Sequence, residues 1–360
     1  MCRRETTKNG GLKLLYPLYY VSEAWHYSQT SEQSAVVTTK NMHLIIHRLE
    51  NSGSKKISVF SILIIIGLFV ISHFNLVDAQ ELEPRAYNNT PVGMNFFLVG
   101  YQYSDGALVF DPAIPVTNAN AKVNAEFLGY VRSVGIAGKS AKVGLLLPYA
   151  DLSATGYVNN VYRTRDTAGM ADPAFFLSIN LSGAPALSQP EFRGYKQDTI
   201  IGFTLKVSAP LGQYENNKII NLGTNRWSIK PELGISKSVG RWSFDVAIAS
   251  IFYTDNDDFD SGKTRKQDPI YSAQANVIYS FANKVWASIG TTYYEGGRTS
   301  IDGIVRNDLQ RNWRNGFTVA IPVNRNNSFK VFGSSGVSTR TGTDYDSFGI
   351  AWQYRWGGGI

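Results

Sequence analysis

The chain has 360 residues, of which 43% are hydrophobic, 13% aromatic and only 18% charged, with a formal net charge of +7. Many aromatics and sparse charge exclude disorder, and the charged fraction falls below the roughly one quarter usual in soluble domains. One long apolar run, residues 57–71, excludes a multi-span helical protein.

The scarce residues narrow the chemistry. The single cysteine is Cys2, and the four histidines are His26, His43, His47 and His73. Beyond residue 73 the chain therefore cannot assemble a disulfide framework, a thiol nucleophile, a Ser–His–Asp triad or a His-ligated metal. No catalytic residue, metal ligand or cofactor is assigned, and the chain is not expected to be an enzyme. The charges of 80–360 are scattered and nearly balanced, which leaves no patch for nucleic acid.

In chain order, Met42 opens a basic n-region ending at Lys55-Lys56, followed by the apolar run and by Val77-Asp78-Ala79. This pattern predicts a signal peptide over 42–79 with a cut after Ala79. The 41 residues before it read as an upstream start that precedes the true one. Residues 80–93 lie ahead of the first strand, as a periplasmic tail or a plug inside a lumen.

From Met94 onward the hydrophobic period is two. In 226–237, Trp227, Ile229, Leu233 and Ile235 oppose Ser228, Lys230, Glu232, Gly234 and Ser236. Successive strand residues point to opposite faces, so such a strand has one apolar and one polar side. Runs of this kind occur at 94–103, 122–135, 141–149, 173–182, 198–209, 226–237, 241–253, 269–281, 284–294, 312–322, 328–336 and 346–356. The count is twelve, and ten to fourteen strands are compatible with it.

Short turns (135–140, 239–240, 282–283, 324–327) alternate with long polar stretches (104–121, 150–172, 212–225, 254–267, 295–311, 337–344), with 183–197 intermediate. Such alternation predicts an all-β fold, a transmembrane antiparallel barrel over 94–356 with a short tail at 357–360, in a bacterial outer membrane. Trp227 and Trp313 at the loop end, and Trp242, Tyr279, Phe281 and Trp356 at the turn end, fit two interfacial girdles. Gly349 with Trp352, Tyr354 and Trp356 resembles the C-terminal strand signal read by barrel-assembly machinery. The departure is Gly357-Gly358-Gly359-Ile360, since such proteins usually stop at the final aromatic.

Two internal motifs carry a family resemblance. Gly169-Met170-Ala171-Asp172-Pro173 is similar to a Gly-x-x-Asp motif ahead of the fourth strand. Val207-Ser208-Ala209-Pro210-Leu211-Gly212-Gln213-Tyr214 is similar to a strand ending in Pro-x-Gly-x-Tyr, with Leu211 where Thr is common. Together they resemble an outer-membrane family named for the meta-pathway of phenol degradation, whose members are regarded as transporters. The resemblance implies passage of aromatic or poorly soluble small molecules.

The alternation places Lys206, Lys230, Glu232, Asp245, Arg314, Lys330 and Arg355 on the inner face, with Phe176, Trp286 and Tyr294. The excess of cations predicts a weak preference for anionic solutes such as aromatic carboxylates. The alternative is mutual pairing that only holds the strands, with Glu232 and Asp245 answering Lys230 and Arg241. The three aromatics either bind an aromatic solute or merely fill the interior. The acidic run 255–262 has the look of a calcium loop, but Phe259 and Lys266 occupy its fifth and twelfth places. The expected partners are membrane lipid, the assembly machinery and a small solute that passes without energy coupling. The rival reading is a closed structural or surface-binding barrel whose loops meet a partner.

Overall fold

The computed structural model of the protein describes residues 83–109 and 116–359; the expected leader and the segment before it lie outside these residues. The first part of the chain forms β1 (Met94–Val109), β2 (Val116–Ile136), β3 (Lys139–Val158), β4 (Val161–Met170) and β5 (Ala174–Ser182). A single-turn helix, α1 (Gln189–Phe192), precedes β6 (Thr199–Ser208), β7 (Ser228–Val239), β8 (Trp242–Tyr253), β9 (Asn256–Phe259) and β10 (Lys263–Gln267). Then come β11 (Ile270–Ser280), β12 (Trp286–Gly296), β13 (Thr299–Ile301) and β14 (Ile304–Val305). The chain finishes with β15 (Gln310–Pro322), β16 (Asn327–Ser338) and β17 (Gly342–Gly357).

Twelve strands close a barrel in the order β1-β2-β3-β5-β6-β7-β8-β11-β12-β15-β16-β17. Each runs antiparallel to its neighbour, and β17 returns to β1 with Met94 opposite Gly357 and Val109 opposite Gly342. Closure leaves none of the twelve barrel strands at an edge, as backbone in hydrocarbon requires.

Burial is inverted relative to a water-soluble protein. On β8, Phe244, Val246 and Ile248 face outward, with Ile248 60% exposed, while Ser243, Asp245 and Ala247 face inward, with Asp245 2% exposed. On β7, Ile229, Leu233 and Ile235 are exposed, and Lys230, Glu232 and Ser236 are buried. An apolar outer surface of this extent needs lipid around it. The expected inward and outward sets of 226–237 are those observed. Slipping the register by one residue would turn Lys230 and Glu232 to lipid, where a midplane Lys costs about 2–4 kcal/mol.

Aromatic rings mark both rims. Trp242 and Tyr279 meet at 4.8 Å, Tyr279 and Phe281 at 4.8 Å, and Tyr354 and Trp356 at 5.6 Å near the turn end. Tyr293 and Trp313 meet edge to face at 6.3 Å near the loop end. The β2–β3 turn is Ala137-Gly138, with φ of 48° and 73°, the double positive φ of a hairpin whose twist matches its strands.

Two expected loops are largely strand. β1 and β2 stay paired to Ala107 opposite Asn120, and β3 and β4 pair from Tyr149 opposite Met170 to Val158 opposite Val161. Beyond the bilayer no lipid enforces alternation, so the side-chain period fades while backbone pairing continues. The expected polar stretches 254–267 and 295–311 also hold strands, since β14-β13-β10-β9 form a small sheet across the two loops.

β4 and β5 are one long strand interrupted at Ala171-Asp172-Pro173, where Pro173 supplies no N–H. Asp172 turns its carboxylate to the 212–224 loop. Oδ1 accepts the Gly212 N–H at 2.9 Å, and Oδ2 accepts the Thr224 N–H at 2.8 Å and its hydroxyl at 2.6 Å. The Gln213 N–H donates to the Met170 carbonyl at 2.7 Å. The two family-like motifs therefore bind each other. Gly212 is needed there because a Cβ would stand 2.8 Å from the backbone of Ala171, Asp172 and Gly223.

Candidate functional site: the barrel lumen

The inner face divides into two kinds of wall. From β6 to β8 and on to β15 it is polar and buried, carrying Lys230, Glu232, Asp245, Gln274, Asn276, Thr292 and Arg314. From β1 to β5 it carries Leu98, Phe127, Leu146 and Phe176 among glycines. There the rings lie over inward glycines of the adjacent strand. A Cβ on Gly100 would stand 2.0 Å from the Phe127 ring, and one on Gly144 would stand 2.3 Å from the Phe176 ring. On the adjoining β16–β17 pair, a Cβ on Gly349 would stand 2.4 Å from the Phe332 ring. Each ring is thereby drawn back against the wall instead of reaching across the lumen.

Residues 83–93 pass along this inner face as a strap. Tyr87 is 1% exposed, and its ring sits over Gly202 and Gly234, register partners on β6 and β7. Its hydroxyl donates to Glu232 Oε1 at 2.7 Å. The Arg85 N–H donates to Asp245 Oδ2 at 2.9 Å, and the Arg85 guanidinium lies 5.5 Å from the Trp286 ring centroid. Lys142 donates to the Ala86 carbonyl at 2.8 Å, and Glu83 pairs with Lys330. These contacts fall on β3, β7, β8, β12 and β16, most of the way around the barrel. Near the turn end, Gly93 and Val92 are tied to Ser133 and Leu187 by backbone bonds of 3.0 and 2.8 Å.

The expected inward residues are placed as follows. Lys230 and Glu232 pair at 3.4 Å, as the pairing alternative had it. Asp245 does not meet Arg241, which is exposed at the β7–β8 turn; the Arg85 backbone takes that place. Lys206 stands in register between Phe176 and Lys230. Arg314 donates to the Tyr345 carbonyl at 3.2 Å, and Arg355 to the Arg325 carbonyl at 2.7 Å, folded onto the β15–β16 turn. Trp286 receives Arg85, whereas Phe176 packs on Gly144, and Tyr294 shares the inner face of β12 with Thr292. Gly349 faces the lumen, while Trp352, Tyr354 and Trp356 alternate to the outer side.

The strap residues Arg85 and Tyr87 are absent from the sequence-derived set, as is Lys142. One signal for Tyr87 was present, since Gly234 falls among the inward residues of 226–237 and leaves a gap there.

Comparison with known proteins agrees with this architecture. Residues 103–354 match the model of the family described as "Putative MetA-pathway of phenol degradation". A crystal structure of an outer membrane channel from Pseudomonas putida F1 superposes with a TM-score of 0.66 at 23% identity, covering 77% of this chain and 100% of that one. The transport unit of the autotransporter AIDA-I from Escherichia coli aligns at 8% identity with a TM-score of 0.45, covering 78% and 93%. A structure described as the CymD monoaromatic hydrocarbon channel aligns at 8% identity with a TM-score of 0.39, covering 74% and 89%. No curated protein matches the chain. With seven-tenths of its length matched, a closed twelve-strand wall and an apolar exterior, the chain is an outer-membrane β-barrel belonging to the phenol-degradation family.

Proposed function

We propose that the barrel is a passive outer-membrane channel for small aromatic or hydrophobic solutes, which pass unchanged and without energy coupling. The observation that carries this reading is the apolar wall of β1 to β5, whose rings lie back on glycines and leave a greasy surface beside the strap. A barrel serving only as a scaffold gains nothing from drawing rings off its own lumen. Two supports stand beside it. The family description names phenol degradation, and the Pseudomonas putida structure is an outer membrane channel. In this reading the strap plugs the charged side, and solute moves along the apolar side. The lumenal cations chiefly fasten the strap and wall, and add a weak preference for anions. Gly349, Trp352, Tyr354 and Trp356 serve recognition by the assembly machinery.

Planar-bilayer conductance of the purified protein, with and without phenol, tests the proposal. Steady openings that phenol reduces are the expected result. A folded, heat-modifiable barrel that stays silent and takes up no phenol would favour the structural or surface-binding alternative.

A further inference from the structure

A second feature of the lumen lies at the loop end, away from the strap. Arg226, just ahead of β7, continues the inward alternation of Ser228 and Lys230 and is only 7% exposed. Its guanidinium lies 4.3 Å from the Tyr253 ring centroid on β8. Nη2 donates to Gln267 on β10, whereas Nη1 is buried and has no hydrogen-bond partner. Arg265, also on β10, lies 5.3 Å from the Phe259 ring centroid. Burial first, and then the neighbouring Arg265, push the Arg226 guanidinium down to about 10. Burial likewise lowers Arg265, against the opposing influence of Asp308.

A buried cation beside a second, partly buried one is costly unless an anion answers them. Among the described residues no carboxylate lies within ion-pair distance of either guanidinium. Asp172 acts on Arg226 only from afar, and its oxygens are taken by Gly212 and Thr224. Asp308 is likewise held by the Thr299 N–H at 2.8 Å and its hydroxyl at 2.5 Å. An orphaned N–H on a buried guanidinium, beside a second guanidinium and two aromatic faces, fits one ligand chemistry well. The forked donors match a carboxylate, and the rings accept a flat apolar body.

We propose that Arg226 and Arg265, walled by Tyr253 and Phe259, form a binding site for the carboxylate of a small aromatic acid at the loop-end mouth of the barrel. The site names an anionic aromatic class for the channel, and so rests on the channel reading. It would hold the solute before it reaches the apolar wall, and it is separate from the strap contacts of Lys330, Glu232 and Asp245.

The test is calorimetric titration of the full-length protein in detergent with benzoate, with benzyl alcohol and acetate as controls, alongside bilayer conductance. Benzoate is expected to bind at least tenfold more tightly than either control. Arg226→Gln and Arg265→Gln should each weaken benzoate tenfold or more and leave benzyl alcohol unaffected. Arg226→Lys, which keeps the charge but not the fork, should fall between. Arg265 lies on a loop strand outside the barrel wall, so Arg265→Gln can be read even if an Arg226 variant fails to fold. Equal benzoate affinity in wild type and Arg265→Gln, or equal affinity for benzoate and acetate, would overturn the site. A conducting barrel with that outcome leaves the channel reading standing, whereas a silent barrel that still binds benzoate through Arg265 removes the channel and keeps the site.

Discussion

The two walls of the lumen are built from the same alternating strands, yet they meet opposite requirements. On β7 and β8 the inward positions are charged, and those charges are matched by Lys230 against Glu232, by Tyr87 against Glu232 and by Arg85 against Asp245. On β1 to β5 Lys142, Ser178 and Asn180 face inward toward the turn end, but above them the inward positions are apolar, and rings rest on Gly100 and Gly144. The charges of β7 and β8 are answered by a separate stretch of chain, whereas the rings of β1 to β5 rest on neighbours within the sheet, and the strap touches that side only near the turn end through Lys142 and Ser133. The difference shows how a narrow barrel can be fastened on one side while its other side stays free for solute.

The comparison breaks most severely where a buried charge loses its partner. Lys230→Met leaves Glu232 short of its cation and should destabilise the barrel by about 3–5 kcal/mol, read by urea unfolding in lipid vesicles. Adding Glu232→Leu to that variant should recover more than half of the loss. If the double variant is as unstable as the single one, pairing is not what holds this wall.

A change on the apolar wall should be milder in stability and greater in conductance. Gly144→Leu must displace the Phe176 ring, at about 1–3 kcal/mol, and should push that ring into the lumen. Unchanged conductance, with the substitution tolerated, would mean that the ring does not border the solute path. Smaller still, Tyr87→Phe keeps the ring over Gly202 and Gly234 but removes the bond to Glu232, a loss of about 1 kcal/mol. Its unfolding midpoint should shift slightly while proteolysis of the strap becomes easier.

The least effect belongs to a loop far from both walls. The Arg165 guanidinium donates to Glu215 at 2.7 Å and holds its exposed carboxyl below the usual carboxylate range. A carboxyl lowered in the folded state stabilises above its unfolded pKa and loses that contribution as pH falls through the folded value. Protease susceptibility of the 212–225 loop should therefore rise in that acidic window, and the rise should be absent in Glu215→Gln. An equal rise in both proteins would assign the loop's acid sensitivity to other groups.

Much of the barrel was legible because lipid on one side and a packed lumen on the other force period two, as in 226–237. The protruding ends of β1 to β4 were not legible, since outside the bilayer backbone pairing persists without that constraint. Pairing of β10 with β13 joins two loops distant in sequence, and no local pattern announces it. The lumen was half legible. Alternation placed Lys230, Glu232 and Asp245 inside, but their partners Tyr87 and Arg85 sit in a short stretch without periodicity. Alternation puts Phe176 on the inner face, yet its rest on Gly144 depends on register between strands, which a single strand's pattern does not reveal. The Asp172 and Gly212 motifs were visible separately, while their mutual hydrogen bonds emerged only from the fold.

The division of labour between the walls can be tested by locating a solute directly. Crystals of the protein soaked with 4-bromophenol, with the bromine found by its anomalous scattering, would do so. The account predicts bromine beside Leu98, Phe127 and Leu146 on the apolar wall. Bromine seated among Lys230, Asp245 and Asn276, with the apolar wall empty, would contradict it.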